Sequence, residues 1–412
     1  MKRITFFGLL FFAFAVHAQK IEQQTVSTYE KAFKNRSFEA MEAILAQNFT
    51  IGVYQRPSTD IMLKSILSKY FQLDSIQLKE VNAVASGKEI KLKYFFKDRK
   101  PFVSNLKLNG NNQIQYVDLF DKLYKIDRYQ NSEIVASFPF EMENGSIVVK
   151  VKLNDSPEEF KMLFDTGADG MAISEVTAKK AQVKNLRDRK TDVVGGTMNV
   201  KFSSGNTIHV GGISIPNQNT VVFGTVRNGY DGLFGKNFLA KYITRINFDT
   251  KTITLYSFGK FEYPKEGCKL PFEYATQLPI VNLELELNSG KQVSGDFVFD
   301  TGADYNIIAF GPFVEANQLE EGFKVDFMST NYSFGQQTAI KMGSANKLSI
   351  GTFDFKAVPT ALQEFDADNQ QWSSHDGSLG ISIINRFNII VNALDKVIYL
   401  EPNNNFNTSF KK

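Results

Sequence analysis

Phe164-Asp165-Thr166-Gly167-Ala168-Asp169 recurs as Phe299-Asp300-Thr301-Gly302-Ala303-Asp304, the same six residues 135 positions later. Each copy follows an apolar run, Met162-Leu163-Phe164 in the first and Phe297-Val298-Phe299 in the second. Each is followed by another, Met171-Ala172-Ile173 and Ile307-Ile308-Ala309. An acidic side chain set between two buried strands is costly unless it is paired or hydrogen-bonded. The glycine lets the chain turn sharply, and the threonine hydroxyl can hold the loop in place. A lone Asp-Thr-Gly would mean little, because such tripeptides mark ordinary turns. Asp249-Thr250-Lys251, for instance, reads as a simple hairpin turn. Two identical hexapeptides in equivalent apolar settings are a strong signal.

The repeat extends outward from the hexapeptides. Phe138-Pro139-Phe140-Glu141 answers Leu270-Pro271-Phe272-Glu273, an offset of 132. An alternating strand follows in each half, Ile147 to Leu153 and Ile280 to Leu287. Ile208-His209-Val210-Gly211 matches Leu348-Ser349-Ile350-Gly351, and Tyr230-Asp231-Gly232-Leu233-Phe234-Gly235 matches His375-Asp376-Gly377-Ser378-Leu379-Gly380. The last offset is 145, so the second half is longer by about ten residues between its motif and its end. Each half closes on a hairpin, around Asp249-Thr250-Lys251 and Asp395-Lys396. These patterns place one lobe at 131–258 and a second at 259–402, with a frayed polar tail at 403–412.

Composition narrows the chemistry. The 412 residues are 43% hydrophobic and 22% charged, which suits a soluble globular protein of two or three domains. The net charge is +3, and no basic block suggests nucleic acid or an anionic membrane as partner. Cys268 is the only cysteine, so no intrachain disulfide can form, and it reads as a small buried residue. Three histidines and one cysteine make a structural zinc site or a Ser/Cys–His triad a poor fit. Carboxylates are left to carry any hydrolytic chemistry, with no metal or other cofactor expected.

Residues 1–18 read as a secretory signal peptide. Lys2 and Arg3 precede an apolar core from Ile4 to Val16, and Val16-His17-Ala18 ends in a small residue. The core is short for a transmembrane helix, and no later run approaches that length. The expected location is periplasmic or extracellular. Residues 19–130 carry no catalytic motif and read as an α+β domain. Helical spacing joins Ile21, Thr25, Tyr29 and Phe33; then, from a Ser37 cap, Phe38, Met41, Ile44 and Leu45; then Ile61, Leu63, Ile66, Leu67 and Phe71. Strands are predicted at Ile90 to Phe95 and Gln113 to Leu119. Three helices before a curved sheet resemble, in pattern, the nuclear transport factor 2-like fold.

The paired hexapeptides resemble the aspartic peptidases, and Ala168 and Ala303 after the glycines make the chain more similar to the retropepsins than to the pepsins. The resemblance implies a mainly β fold, a bilobed double β-barrel made by tandem lobes. It also implies that Asp165 and Asp300 share one proton and activate water, with Thr166, Gly167, Thr301 and Gly302 supporting the dyad. Retroviral enzymes supply one motif per subunit; here both lie in one chain, so dimerisation is not required. Leu233-Phe234-Gly235-Lys236-Asn237 is similar to the retropepsin Gly-Arg-Asn segment, which implies an ion pair between Lys236 and Asp169. The second half has Gly380-Ile381-Ser382 there, so Asp304 is expected to lack that partner. Ala168, Asp169, Ala303, Asp304, Gly195 and Gly196 are the candidate substrate-binding residues, with Asp192 to Met198 and Ser329 to Gln336 as candidate flaps. In pepsin-like enzymes a hydroxyl residue after the motif glycine can donate to the carboxylate and lower its pKa. Alanine cannot, so the expected optimum is mildly acidic to near-neutral. The function implied is an exported aspartic endopeptidase acting on peptides or proteins. The alternative is a catalytically silent peptide-binding module with the same fold.

Overall fold

The computed structural model describes residues 22–70, 72–193, 196–275, 278–333, 336–365 and 375–410. The expected leader at 1–18 and Gly195 lie outside the described residues. The chain divides into two compact units, Met1–Asn131 and Ser132–Lys412. Strands hold 51% of the described residues against 16% in helices, so the structure is mainly β.

The first unit begins with helix α1 (22–34) and α2 (Phe38–Glu42), followed by β1 (Leu45–Thr50) and α3 (Ser58–Lys69). Then come β2 (Leu73–Val84), β3 (Gly87–Phe96), β4 (Arg99–Leu108), β5 (Ile114–Val117) and α4 (Asp118–Leu123). The sheet order is β1-β5-β4-β3-β2. Helical side chains Tyr29, Phe33, Leu63, Ile66 and Leu67 pack with Leu92, Tyr94, Leu106 and Leu108 of the sheet in one core. Ser37 does cap α2, accepting from Ala40 N. The helix is shorter than its apolar spacing suggests, because Leu45 leaves it to start β1 beside Ile114. Likewise the strand expected through Leu119 ends at Val117, and Asp118 opens α4. Strand β2 packs Ile76, Leu78 and Val81 on this core, but register shifts at Leu73/Ser75 and Leu78/Glu80 break the two-residue alternation that marks a strand in sequence.

In the second unit the first half runs β6 (Ile134–Pro139), β7 (Glu141–Glu143), β8 (Ser146–Leu153), β9 (Phe160–Phe164), β10 (Met171–Ser174) and α5 (Glu175–Lys180). It continues β11 (Arg187–Val193), β12 (Gly196–Val210), β13 (Ile213–Phe223), β14 (Gly232–Phe234), α6 (Lys236–Leu239), β15 (Ile243–Asn247) and β16 (Thr252–Tyr256). The second half runs β17 (Cys268–Ala275), β18 (Leu278–Glu286), β19 (Gln292–Phe299), β20 (Ile307–Ala309), α7 (Gly311–Ala316) and β21 (Val325–Ser333). It ends β22 (Gln336–Ile350), β23 (Phe353–Gln363), β24 (Gly377–Leu379), α8 (Ile381–Ile384), β25 (Phe387–Asn392) and β26 (Val397–Pro402).

The repeat seen in sequence is a repeat of topology. Among the described residues, an eight-stranded sheet runs β11-β12-β13-β10-β14-β9-β8-β7, and its counterpart begins β21-β22-β23-β20-β24-β19-β18. In each half a three-residue strand is wedged between two neighbours. β14 lies parallel to β9 and antiparallel to β10, as β24 does to β19 and β20. The second sheet then continues β17-β26-β25-β15-β16-β6, so strands of both halves share one hydrogen-bonded layer. Its central strand β25, Phe387-Asn388-Ile389-Ile390-Val391-Asn392, is buried along its whole length. Phe387, Ile389, Ile390 and Val391 fill that interior, and the buried Asn388 and Asn392 are held there by hydrogen bonds.

The tail expected to fray is held from 403 to 410. Arg386 is buried and donates to the carbonyls of Phe406 and Thr408 at 3.0 and 2.6 Å. Phe406 packs on Phe353, Phe355 and Phe387. A buried guanidinium needs acceptors, and the tail's backbone supplies them.

Candidate active site

Asp165 and Asp300 each stand one residue beyond a strand, β9 and β19, at the start of a tight turn. The wedged strands hold them: Asp165 N donates to Phe234 O at 2.8 Å, and Asp300 N to Leu379 O at 3.0 Å. Thr166 and Thr301, 1% and 0% exposed, bind the two turns together. Thr166 N donates to Thr301 Oγ1 at 3.0 Å, and Thr301 N to Thr166 Oγ1 at 3.0 Å. Each hydroxyl then donates onward to the carbonyl before the opposite aspartate, Thr166 to Phe299 O and Thr301 to Phe164 O. Only a side chain that accepts and donates at once can close such a ring, which is why the position needs a hydroxyl.

The ring brings the two carboxyl groups close enough for each to perturb the other's ionisation. Each also accepts from its own turn, Asp165 Oδ1 from Gly167 N at 2.8 Å and Asp300 Oδ1 from Gly302 N at 2.9 Å. A Cβ on Gly167 would collide with the Asp300 carboxyl, and one on Gly302 with that of Asp165. The glycines are therefore needed for close approach across the pair. Burial raises both carboxyl pKa values above the ordinary range, and the neighbouring carboxylate pushes Asp165 higher still. Two acids so close cannot both ionise near neutrality, so the pair holds one proton over a wide pH range.

Around the pair the remaining candidates separate. Ala168 N donates to Asp165 O at 3.3 Å, while Ala303 N points a donor at the Asp300 carboxylate. Lys236 Nζ lies 2.7 Å from Asp169 Oδ1, an ion pair inside the first half. Burial depresses the Lys236 pKa despite Asp169, so desolvation outweighs the attraction. Asp304 does have a cation, contrary to the expectation. Arg227 of the first half reaches it at 3.6 Å and also donates to Ser146 Oγ at 2.9 Å. Gly380-Ile381-Ser382 offers no cation within the second half, and the partner comes from the first. Gly196 pairs with Val193 at the end of the β11–β12 hairpin, and β21–β22 forms the equivalent hairpin in the second half.

Two residues that the sequence reading did not treat as site residues stand beside the dyad. Ser378, on β24, is 3% exposed, and its hydroxyl lies within reach of the Asp300 carboxylate and the Tyr305 phenol. The Ser378-for-Leu difference between the halves was visible in sequence. Its nearness to Asp300 depends on strand pairing, which was not.

Residues 149–238 match the family model for aspartyl protease. The aspartyl protease match takes in β9, the first motif, the first hairpin and Lys236, and it stops short of the second motif. It supports peptidase chemistry in the first half. No curated protein matches the chain. Among the described residues, no helix is long and apolar enough to cross a membrane, and no cluster of three or more His, Cys, Asp or Glu is placed to hold a metal ion.

Proposed function

We propose that the chain is an exported, retropepsin-like aspartic endopeptidase whose two β-barrel lobes assemble one catalytic dyad. The observation that carries this reading is the reciprocal threonine ring that holds Asp165 and Asp300 together. In the proposed reaction the ionised carboxylate takes a proton from a water molecule, and the water oxygen attacks the peptide carbonyl carbon. The protonated carboxyl donates to the developing oxyanion. The tetrahedral intermediate then collapses as the C–N bond breaks and the leaving nitrogen takes a proton from the dyad. The β11–β12 and β21–β22 hairpins are the proposed flaps, and Asp169, Asp304, Ala168 and Ala303 the proposed substrate-facing turns. The first unit, with its helices packed on one five-stranded sheet, is read as nuclear transport factor 2-like, and the leader at 1–18 as the export signal.

The test is incubation of the purified chain with a mixed peptide library across pH, with and without a statine-type inhibitor. Inhibitor-sensitive cleavage is expected, and Asp165→Asn or Asp300→Asn should each lower kcat by about 1,000-fold or more. Peptide binding without products would favour the silent module instead, and turnover in either variant would overturn the dyad mechanism.

A further inference from the structure

The two halves differ most in polarity beside their carboxylates. Register places Ser378 opposite Val298, two residues before Asp300, and places Leu233 opposite Leu163, two residues before Asp165. One half therefore offers a hydroxyl where the other offers an apolar side chain, and Leu233 packs into the cluster of Ala172, Val200 and Phe223. A second difference adjoins the first. The residue after Asp169 is Gly170, whereas Tyr305 follows Asp304. The ring of Tyr305 lies against Gly380 and packs with Ile308, Phe310 and Ile340.

Ser378 Oγ is fully buried and has no hydrogen-bond partner among the described residues. A buried hydroxyl in that condition is costly, yet this one stands beside two polar groups. They are the Asp300 carboxylate, which accepts when ionised, and the Tyr305 phenol, which can donate or accept. Burial raises the Tyr305 pKa far above neutrality, so the phenol stays protonated. Among the described residues, the titratable groups facing Asp300 are Asp165 and Tyr305. Hydrogen bonds donated to a carboxylate favour its ionised form.

Resting on the peptidase reading above, we propose that Ser378, oriented by Tyr305, is a positioning residue that makes Asp300 the base of the dyad and leaves the shared proton on Asp165. Asp300 then accepts the proton of the attacking water as the new C–O bond forms, and Asp165 gives its proton to the carbonyl oxygen. The hydroxyl missing after both motif glycines is thus supplied to one carboxylate only, from a different strand.

The direct test titrates the carboxyl carbons of ¹³C-Asp-labelled protein by NMR, with Asp165→Asn and Asp300→Asn used to assign the signals. Asp300 is expected to ionise first. In Ser378→Ala its ionisation should move up by about one pH unit, with a smaller move in Tyr305→Phe and the original position kept in Ser378→Thr. The acid limb of kcat/KM should move by the same amount in the same direction. Ionisation of Asp165 first, or an Asp300 titration unmoved in Ser378→Ala, would overturn the proposal. The NMR readout needs no turnover, so a chain that cleaves nothing would sink the peptidase reading while still deciding the proton's place.

Discussion

At the scale of single residues, the facing carboxyl pair sets folding against ionisation. Holding two acids together at two facing turns raises their pKa values, so the folded chain binds protons that the unfolded chain releases. Stability from this source is fully present below the unfolded carboxyl pKa and is lost as pH rises through the folded values. Asp165→Asn removes that titration. Its unfolding free energy should equal the parent's in acid and exceed it at neutral pH, by ~1.4 kcal/mol for each pH unit of upward shift removed. Thermal unfolding at several pH values checks this. A variant less stable than the parent at neutral pH would mean that the carboxyl pair stabilises the fold. The motif itself was legible because its residue types are dictated by this geometry. Threonine must donate and accept, and glycine must leave room for the opposite carboxylate.

Among elements, the short strands β14 and β24 decide most. Each is only three residues, too short for periodicity to announce, yet each anchors an aspartate through a backbone bond. Their neighbours also set the ion pairs that flank the dyad. Asp169 and Lys236 meet within the first half, whereas Asp304 takes Arg227 from across the halves. Arg227 and Asp304 are 41% and 49% exposed, so Arg227→Ala should change stability by less than ~1 kcal/mol. Lys236 is a different case at 20% exposure, because its surroundings disfavour the charge. Lys236→Met, which keeps most of the buried stem, should leave the unfolding midpoint level or slightly raised. A loss of more than ~1 kcal/mol in chemical denaturation would show that the pair is net stabilising after all.

For the whole molecule, the shared layer β17-β26-β25-β15-β16-β6 joins the two halves covalently and by hydrogen bonds. Dilution therefore cannot separate the carboxylates, as it would in an enzyme with one motif per subunit. Specific activity should stay constant from micromolar to low nanomolar protein, and a loss on dilution would point to an obligate dimer. Sequence alone determined the duplication and the two carboxylate motifs, and a family resemblance pointed to the Asp169–Lys236 pair. The first two rest on short motifs whose residue types are set locally and on a spacing that repeats. Tertiary structure decided what lies between distant segments. It turned Leu45 from helix to strand, docked the tail on Arg386, gave Asp304 a cation from the other half and set Ser378 beside Asp300. Those contacts depend on which strands pair and in what register, and pairing is settled by burial summed over a whole sheet. No single stretch of residues carries that sum.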